Sequence, residues 1–325
     1  MTSVGRAVPG GALGAASQVL PTATRVLAVG IGGGGDVVGA LAAAQLLGRP
    51  FVLGGLTWER LPFDPVPGPR RTDELRDAEV LHPAAALAGP DTRTPGDVRF
   101  GESRAADQLG APVVLIDPNP GPAVTAEGLV AAAARTGCDG VLLVDVGGDV
   151  LAHGHEAGLG SPLADAVLLA AGSHLEALGG LPVALAVVGA GCDGELTPDE
   201  VAARVAETQA IGGLLARAPL DPAGLDALER LIEAVPTEAS ALAVACARGA
   251  RGPVAIRGGR RTVERTALGG EAVFLTVAGA IAGPARLAAL VRDAASLEAA
   301  EARLAERGIV SELAWERAQV AGRSA

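Results

Sequence analysis

The sequence predicts an α/β protein with a doubly wound, mostly parallel sheet of Rossmann-like type, helices on both faces and a helical insertion. Three observations carry this. Apolar runs of strand length recur along the chain, each run ends in a loop rich in glycine or aspartate, and segments with a helical period fill the spaces between. A strand that is apolar at every position must be covered on both faces, as in a parallel sheet built from strand–helix–strand units.

Taken in order, residues 1–24 read as an N-terminal extension and 25–325 as a single α/β domain. The first twenty residues are rich in Gly, Ala and Ser, with no continuous apolar stretch behind a basic end, so no signal peptide is expected. VLAVGI (26–31) is the first strand and runs directly into a glycine loop and a helix; PFVLGG (50–55) is the second. Residues 57–103 are dense in Pro, Arg and Asp, which predicts few regular elements and a lid or binding loop over the site. PVVLIDP (112–118), GVLLVDV (140–146) and LPVALAVVG (181–189) continue the series. The strands at 26–31, 112–117, 140–146 and 182–188 are expected to be parallel neighbours in one sheet.

Ser161-Pro162 and Thr197-Pro198 each put a capping hydroxyl before proline at the first helical position, and Thr197 with Glu200 makes a capping box. Residues 204–251 read as consecutive helices. PVAIRG (253–258) is a further strand, IRGGRRTVE (256–264) a hairpin around Gly258-Gly259, AVFLTVAG (272–279) another strand, and 284–320 closing helices.

Composition narrows the function. A net charge of −11 disfavours nucleic acid and anionic membranes, because neutralising phosphates needs a basic face. The most apolar stretch, 272–291, is interrupted by Pro284 and Arg286, which argues against a spanning helix. Cys138, Cys192 and Cys246 lie far apart, as expected of a cytoplasmic protein and not of a structural zinc site. The chain has no lysine, which excludes a pyridoxal-phosphate aldimine and a P-loop lysine, and no tyrosine, which excludes a Tyr–Lys dehydrogenase pair.

The candidate site lies in the loops. Gly30, Gly32 and Gly35 satisfy GxGxxG between a strand and a helix, and with Gly33, Gly34 and Asp36 they form the candidate cofactor- or anion-binding loop. The plainer reading is tight helix–sheet packing. A nicotinamide fingerprint also wants an acid after the second strand; Glu59 is the nearest, but it sits in a different sort of loop, so NAD is the weaker choice. The pattern then recurs: Asp145, Gly147, Gly148 and Asp149 follow one strand, Gly189, Gly191, Asp193 and Glu195 another, and Asp117 a third. In a parallel sheet these loops share the carboxyl edge, where the clustered acids call for a cation, a polyhydroxylated ligand or raised pKa values. Oxygen ligands suit Mg²⁺ better than zinc, with Asp149 and Asp193 as candidate ligands. Taken singly, each acid reads more simply as a cap or turn former.

His153, His155 and Glu156 follow Asp149; His155 and Glu156 are candidate acid–base groups, although an exposed turn explains them equally well. Ser161 is a helix cap and a candidate substrate contact, and Asp165 reads as a first-turn helix acid. Arg70 and Arg71 in the long loop are candidate clamps on an anionic substrate; Arg257, Arg260 and Arg261 carry the same ambiguity.

Together GIGGGGDVVGA (30–40), WERLPFDPVPGPR (58–70), VDVGGDVLAHGHEAGLGSPLADA (144–166) and GAGCDGEL (189–196) resemble the domain of unknown function 1152 family, conserved hypothetical proteins of archaea and bacteria. The resemblance spans roughly 25–320 and implies a shared architecture and site rather than a reaction. The glycine–aspartate loops are also loosely similar to those of the glutamate cyclase group, by analogy of fold.

The expected function is an enzyme acting on a small anionic or polyhydroxylated metabolite, such as a nucleotide or sugar phosphate. Its chemistry would be carboxylate acid–base work, Mg²⁺-assisted, by hydrolysis, elimination or isomerisation. A nicotinamide-dependent oxidoreductase and a non-catalytic metabolite-binding protein are the alternatives. The expected partner is a small-molecule ligand, with no nucleic acid and no membrane; a homo-oligomer is left open.

Overall fold

The computed structural model describes residues 16–323, so the expectation of no signal peptide falls mainly on residues outside them. In chain order the strands are β1 (Val26–Gly30), β2 (Phe51–Leu56), β3 (Arg76–His82), β4 (Ala85–Arg93), β5 (Val113–Ile116), β6 (Gly140–Val146), β7 (Val183–Val188), β8 (Leu214–Pro219), β9 (Gly252–Ile256), β10 (Arg261–Arg265) and β11 (Glu271–Leu275). The helices are α1 (Val37–Leu47), α2 (Gly101–Leu109), α3 (Pro122–Thr136), α4 (Pro162–Leu178), α5 (Pro198–Ala210), α6 (Leu225–Ala234), α7 (Glu238–Ala247), α8 (Val277–Ala282), α9 (Arg286–Val291), α10 (Leu297–Ala305) and α11 (Glu312–Arg323).

The sheet runs β3-β4-β5-β2-β1-β6-β7-β11-β8, and its centre, β5-β2-β1-β6-β7, is parallel throughout. β1 shows why. Leu27 and Val29 enter the core beneath α3, α4, α5 and α8–α10, while Val26 and Ala28 enter the opposite core beneath α1, α2, α6 and α7. A strand sandwiched in this way has no polar face, and the fold is doubly wound. Small residues let the layers approach closely: a Cβ on Gly39 of α1 would come within 2.2 Å of Val146 Cγ2. Among the described residues no helix is long and apolar enough to cross a membrane.

Several expectations need correction. Residues 57–103 are not simply a loop: they contain the β3–β4 hairpin, whose β4 pairs antiparallel with β5 and extends the sheet edge. β3 is largely exposed and polar (RDAEVLH), so it lacks the apolar run that reveals a central strand. Residues 204–251 are not all helical: β8 lies between α5 and α6, its buried face made by Ala216 and Ala218, which carry little strand signal. β11 is antiparallel to both β7 and β8, so the sheet is mixed. The strand at 113–116 lies parallel in the sheet but is separated from β1 by β2. The hairpin near Gly258-Gly259 is present as β9–β10, and Thr197 and Glu200 form their capping box.

The chain leaves β1 towards β2 on one side and β6 towards β7 on the other. Between β1 and β6 the strand order therefore reverses, opening a crevice at the carboxyl ends of the strands where ligands bind in open α/β sheets.

Candidate functional site

That crevice is a cleft of ≈ 790 Å³. One wall is the loop after β1, where Gly33 (φ 78°), Gly34 (φ 60°) and Gly35 (φ 130°) take the left-handed or positive-φ conformations that favour glycine. The loop closes on itself through Asp36, whose Oδ2 accepts the Gly32 N–H at 2.9 Å. Gly32–Gly34 and Asp36 line the cleft; Gly30 and Gly35 shape the loop against Asp36 and Thr237.

The floor is acidic. Asp145 and Asp149 come from β6 and the turn after it, Asp193 and Glu195 from the loop after β7, and Asp165 from the first turn of α4. All five are buried. The β6 and β7 loops are tied by the Gly191 N–H to the Gly147 carbonyl at 2.7 Å. Gly147 must be glycine for this meeting, since its φ is 132° and a Cβ there would stand 2.3 Å from the Asp193 carboxyl carbon. Glu195 accepts the N–H groups of Gly160 (2.7 Å) and Ser161 (2.8 Å) and the Ser161 hydroxyl (2.6 Å), so Ser161 is engaged with an acid of the cleft and not in capping α4. The N-terminal amides of Leu163 and Ala164 donate instead to Glu312 of α11.

Four oxygens in this floor, Asp145 Oδ2, Asp149 Oδ2, Asp165 Oδ1 and Asp193 Oδ1, are buried without a hydrogen-bond partner. Burial, with Asp145 adding to it, pushes the Asp36 carboxyl up to about 8, and burial pushes Asp145 up to about 7. Burial and then the neighbouring acids hold Asp149, Asp165 and Asp193 well above the usual carboxylate range. Within each of two groups, Asp36–Asp145–Asp165 and Asp149–Asp193–Glu195, one oxygen per residue lies within 4.8 Å of the others. Such all-oxygen sets suit hard divalent cations.

Arginines edge the cleft: Arg257, Arg260 and Arg261 from the β9–β10 hairpin, and Arg60 from the loop after β2. Arg60 stacks 4.1 Å over the Trp58 ring and donates to the Gly32 carbonyl and Glu312. Half-exposed Phe63 and Trp315 add apolar surface to the lining. Their elements are joined by Glu316, which accepts from the Trp58 indole and from the amides of Leu61 and Gly68.

Several candidates do not line the cleft. Arg70 is buried in an ion pair with Asp64 at 2.6 Å and Arg71 is exposed beside Asp73, so neither clamps a ligand there. Only 60–63 of the long loop reach the cleft. Glu59 accepts the Gly101 N–H, and Asp117 accepts the Asn119 N–H. Glu156 accepts the amides of His153, Gly154 and His155 and the guanidinium of Arg204. Burial opposes its ionisation, but these bonds outweigh burial and bring its carboxyl down to about 2, which makes it a loop fastener. His155 is exposed, 5.5 Å from the His153 ring. Asp165 belongs to the cluster despite its reading as a helix acid. Glu312 and Trp315 had no local motif to mark them, and Arg60, though inside the 58–70 motif, was not among the sequence candidates.

The chain belongs to the family described as protein of unknown function (DUF1152), which matches residues 27–320. No curated protein and no solved structure matches it.

Proposed function

We propose that this member of the DUF1152 family is an enzyme that acts on a small phosphate-bearing metabolite by carboxylate chemistry assisted by a divalent cation. The observation that carries the reading is the set of four buried, unpartnered carboxylate oxygens facing one cleft. A buried anion without a partner costs several kcal/mol, roughly, and a fold that gathers such groups is stabilised once a cation neutralises them. Mg²⁺ on Asp149 and Asp193 would leave neighbouring acids to transfer protons. The Gly33–Gly34 turn and the rim arginines suit an anionic group, and Phe63 and Trp315 suit a planar ring, which favours a nucleotide over a bare sugar phosphate. Glu59, which a dinucleotide reading would need at the ribose, is engaged with Gly101 instead.

The test is thermal stabilisation across nucleotides and sugar phosphates, each with and without Mg²⁺, followed by product analysis on the hits. Ligand at a hundredfold its Kd adds about 2.7 kcal/mol to stability. The expected result is stabilisation that needs metal and phosphate together, with turnover. Stabilisation by NAD in the presence of chelator would refute the reading, and tight binding without turnover would leave a binding protein.

A further inference from the structure

We propose that the cleft holds two divalent cations, one among Asp36, Asp145 and Asp165 and the other among Asp149, Asp193 and Glu195. This rests on the metal-assisted reading above and deepens it to a binuclear centre acting on phosphate esters or anhydrides.

The two groups share no residue, yet they are built alike. In each, two carboxylates have a buried oxygen without a partner: Asp145 Oδ2 and Asp165 Oδ1 in the first, Asp149 Oδ2 and Asp193 Oδ1 in the second. In each, the third carboxylate is anchored by backbone amides, Asp36 by Gly32 and Glu195 by Gly160 and Ser161. One oxygen from each residue falls within 4.8 Å of the other two. Oxygens sharing a Ca²⁺- or Mg²⁺-like ion at about 2.0–2.6 Å can lie up to roughly 5 Å apart, so each group spans a single ion. The charge points the same way: one divalent ion neutralises two of the six cleft carboxylates and two ions neutralise four, with Arg257 and Arg260 of the rim available to an incoming phosphate.

Paired oxygen-ligated cations suit in-line displacement at phosphorus. Asp36, Asp145 and Asp165 would hold one cation and Asp149, Asp193 and Glu195 the other, and the pair would supply an activated water and a stabilised leaving oxygen. A cleft carboxylate would take the water proton as the new P–O bond forms and return it to the leaving oxygen as the old P–O bond breaks.

The experiment uses the full chain, stripped with chelator and titrated with Mn²⁺, with stoichiometry from equilibrium dialysis and coupling between ions from electron paramagnetic resonance. The expected result is two Mn²⁺ per chain, with the isolated-ion signal suppressed at two equivalents. Asp165→Asn and Asp193→Asn should each bind one, with the isolated-ion signal restored. One Mn²⁺ per wild-type chain would overturn the two-cation proposal and leave the metal-assisted reading standing; no Mn²⁺ would overturn both. Two ions retained by both variants would overturn the assignment of ligands. If a variant fails to fold by circular dichroism, the wild-type stoichiometry and spectrum decide alone.

Discussion

Glu102 offers a test of the electrostatics of this fold at a group that is not itself a proposed metal ligand. It lies in the first turn of α2 and is buried, with its carboxyl against the backbone of β2, where a Cβ on Gly55 would stand 1.9 Å from Glu102 Oε1. Burial, followed by the nearby Glu59 carboxylate, pushes its pKa from 4.5 up to about 8. A carboxyl with a raised folded pKa contributes its stability fully below the unfolded value and loses it as pH rises towards the folded value. Between these limits the wild-type protein loses about 1.4 kcal/mol per pH unit from this group. Glu102→Gln keeps the shape and stays neutral, so from pH 5 to pH 7 the variant should gain up to about 3 kcal/mol relative to wild type. Glu59 is present in both proteins, so its own titration largely cancels in the comparison. Urea denaturation of both proteins in chelator at pH 5, 6 and 7 measures the difference. A difference that stays constant with pH would refute the conclusion that Glu102 is protonated in the folded state.

Three further outcomes are expected. Asp149→Asn should fold and melt close to wild type but lose metal-linked ligand binding, read by thermal shift and calorimetry; normal binding would remove Asp149 from the site. Gly33→Val should abolish binding of phosphate ligands, because φ is 78° there and a Cβ would come within 3.2 Å of the Trp58 carbonyl oxygen. Asp139 accepts the amides of Thr24 and Arg25 and the Thr24 hydroxyl, and the Arg25 amide leads in bringing its carboxyl down to about 2. Its contribution to stability is therefore present above the unfolded value of 3.8 and lost as pH falls towards 2, so Asp139→Asn should lower Tm at pH 7 and converge with wild type in acid.

What the sequence determined by itself is whatever a short stretch of chain enforces. Apolar continuity in 26–30, 140–146 and 183–188 demands cover on both faces, so these strands, their parallel order and the loops at their carboxyl ends were legible. Asp145, Asp149, Asp193 and Glu195 could be named because they stand on or just beyond those strand ends, and the glycine loop because it joins strand to helix. The tertiary structure decided the rest. β3 and β8 were missed because edge strands need no apolar run, and β11 entered antiparallel because that depends on the route of α6, α7 and the β9–β10 hairpin back to the sheet. The sorting of acids was likewise non-local. Glu156 and Asp165 lie in the same motif, yet Glu156 meets Arg204 and a run of loop amides while Asp165 meets the carboxylates of Asp145 on β6 and Asp36 just before α1. Glu312 and Glu316 fasten α4 and the Trp58 loop from more than a hundred residues away in the chain. Secondary structure follows from local periodicity and steric preference, whereas a carboxylate's role follows from burial and from the charges brought beside it, and packing alone sets those.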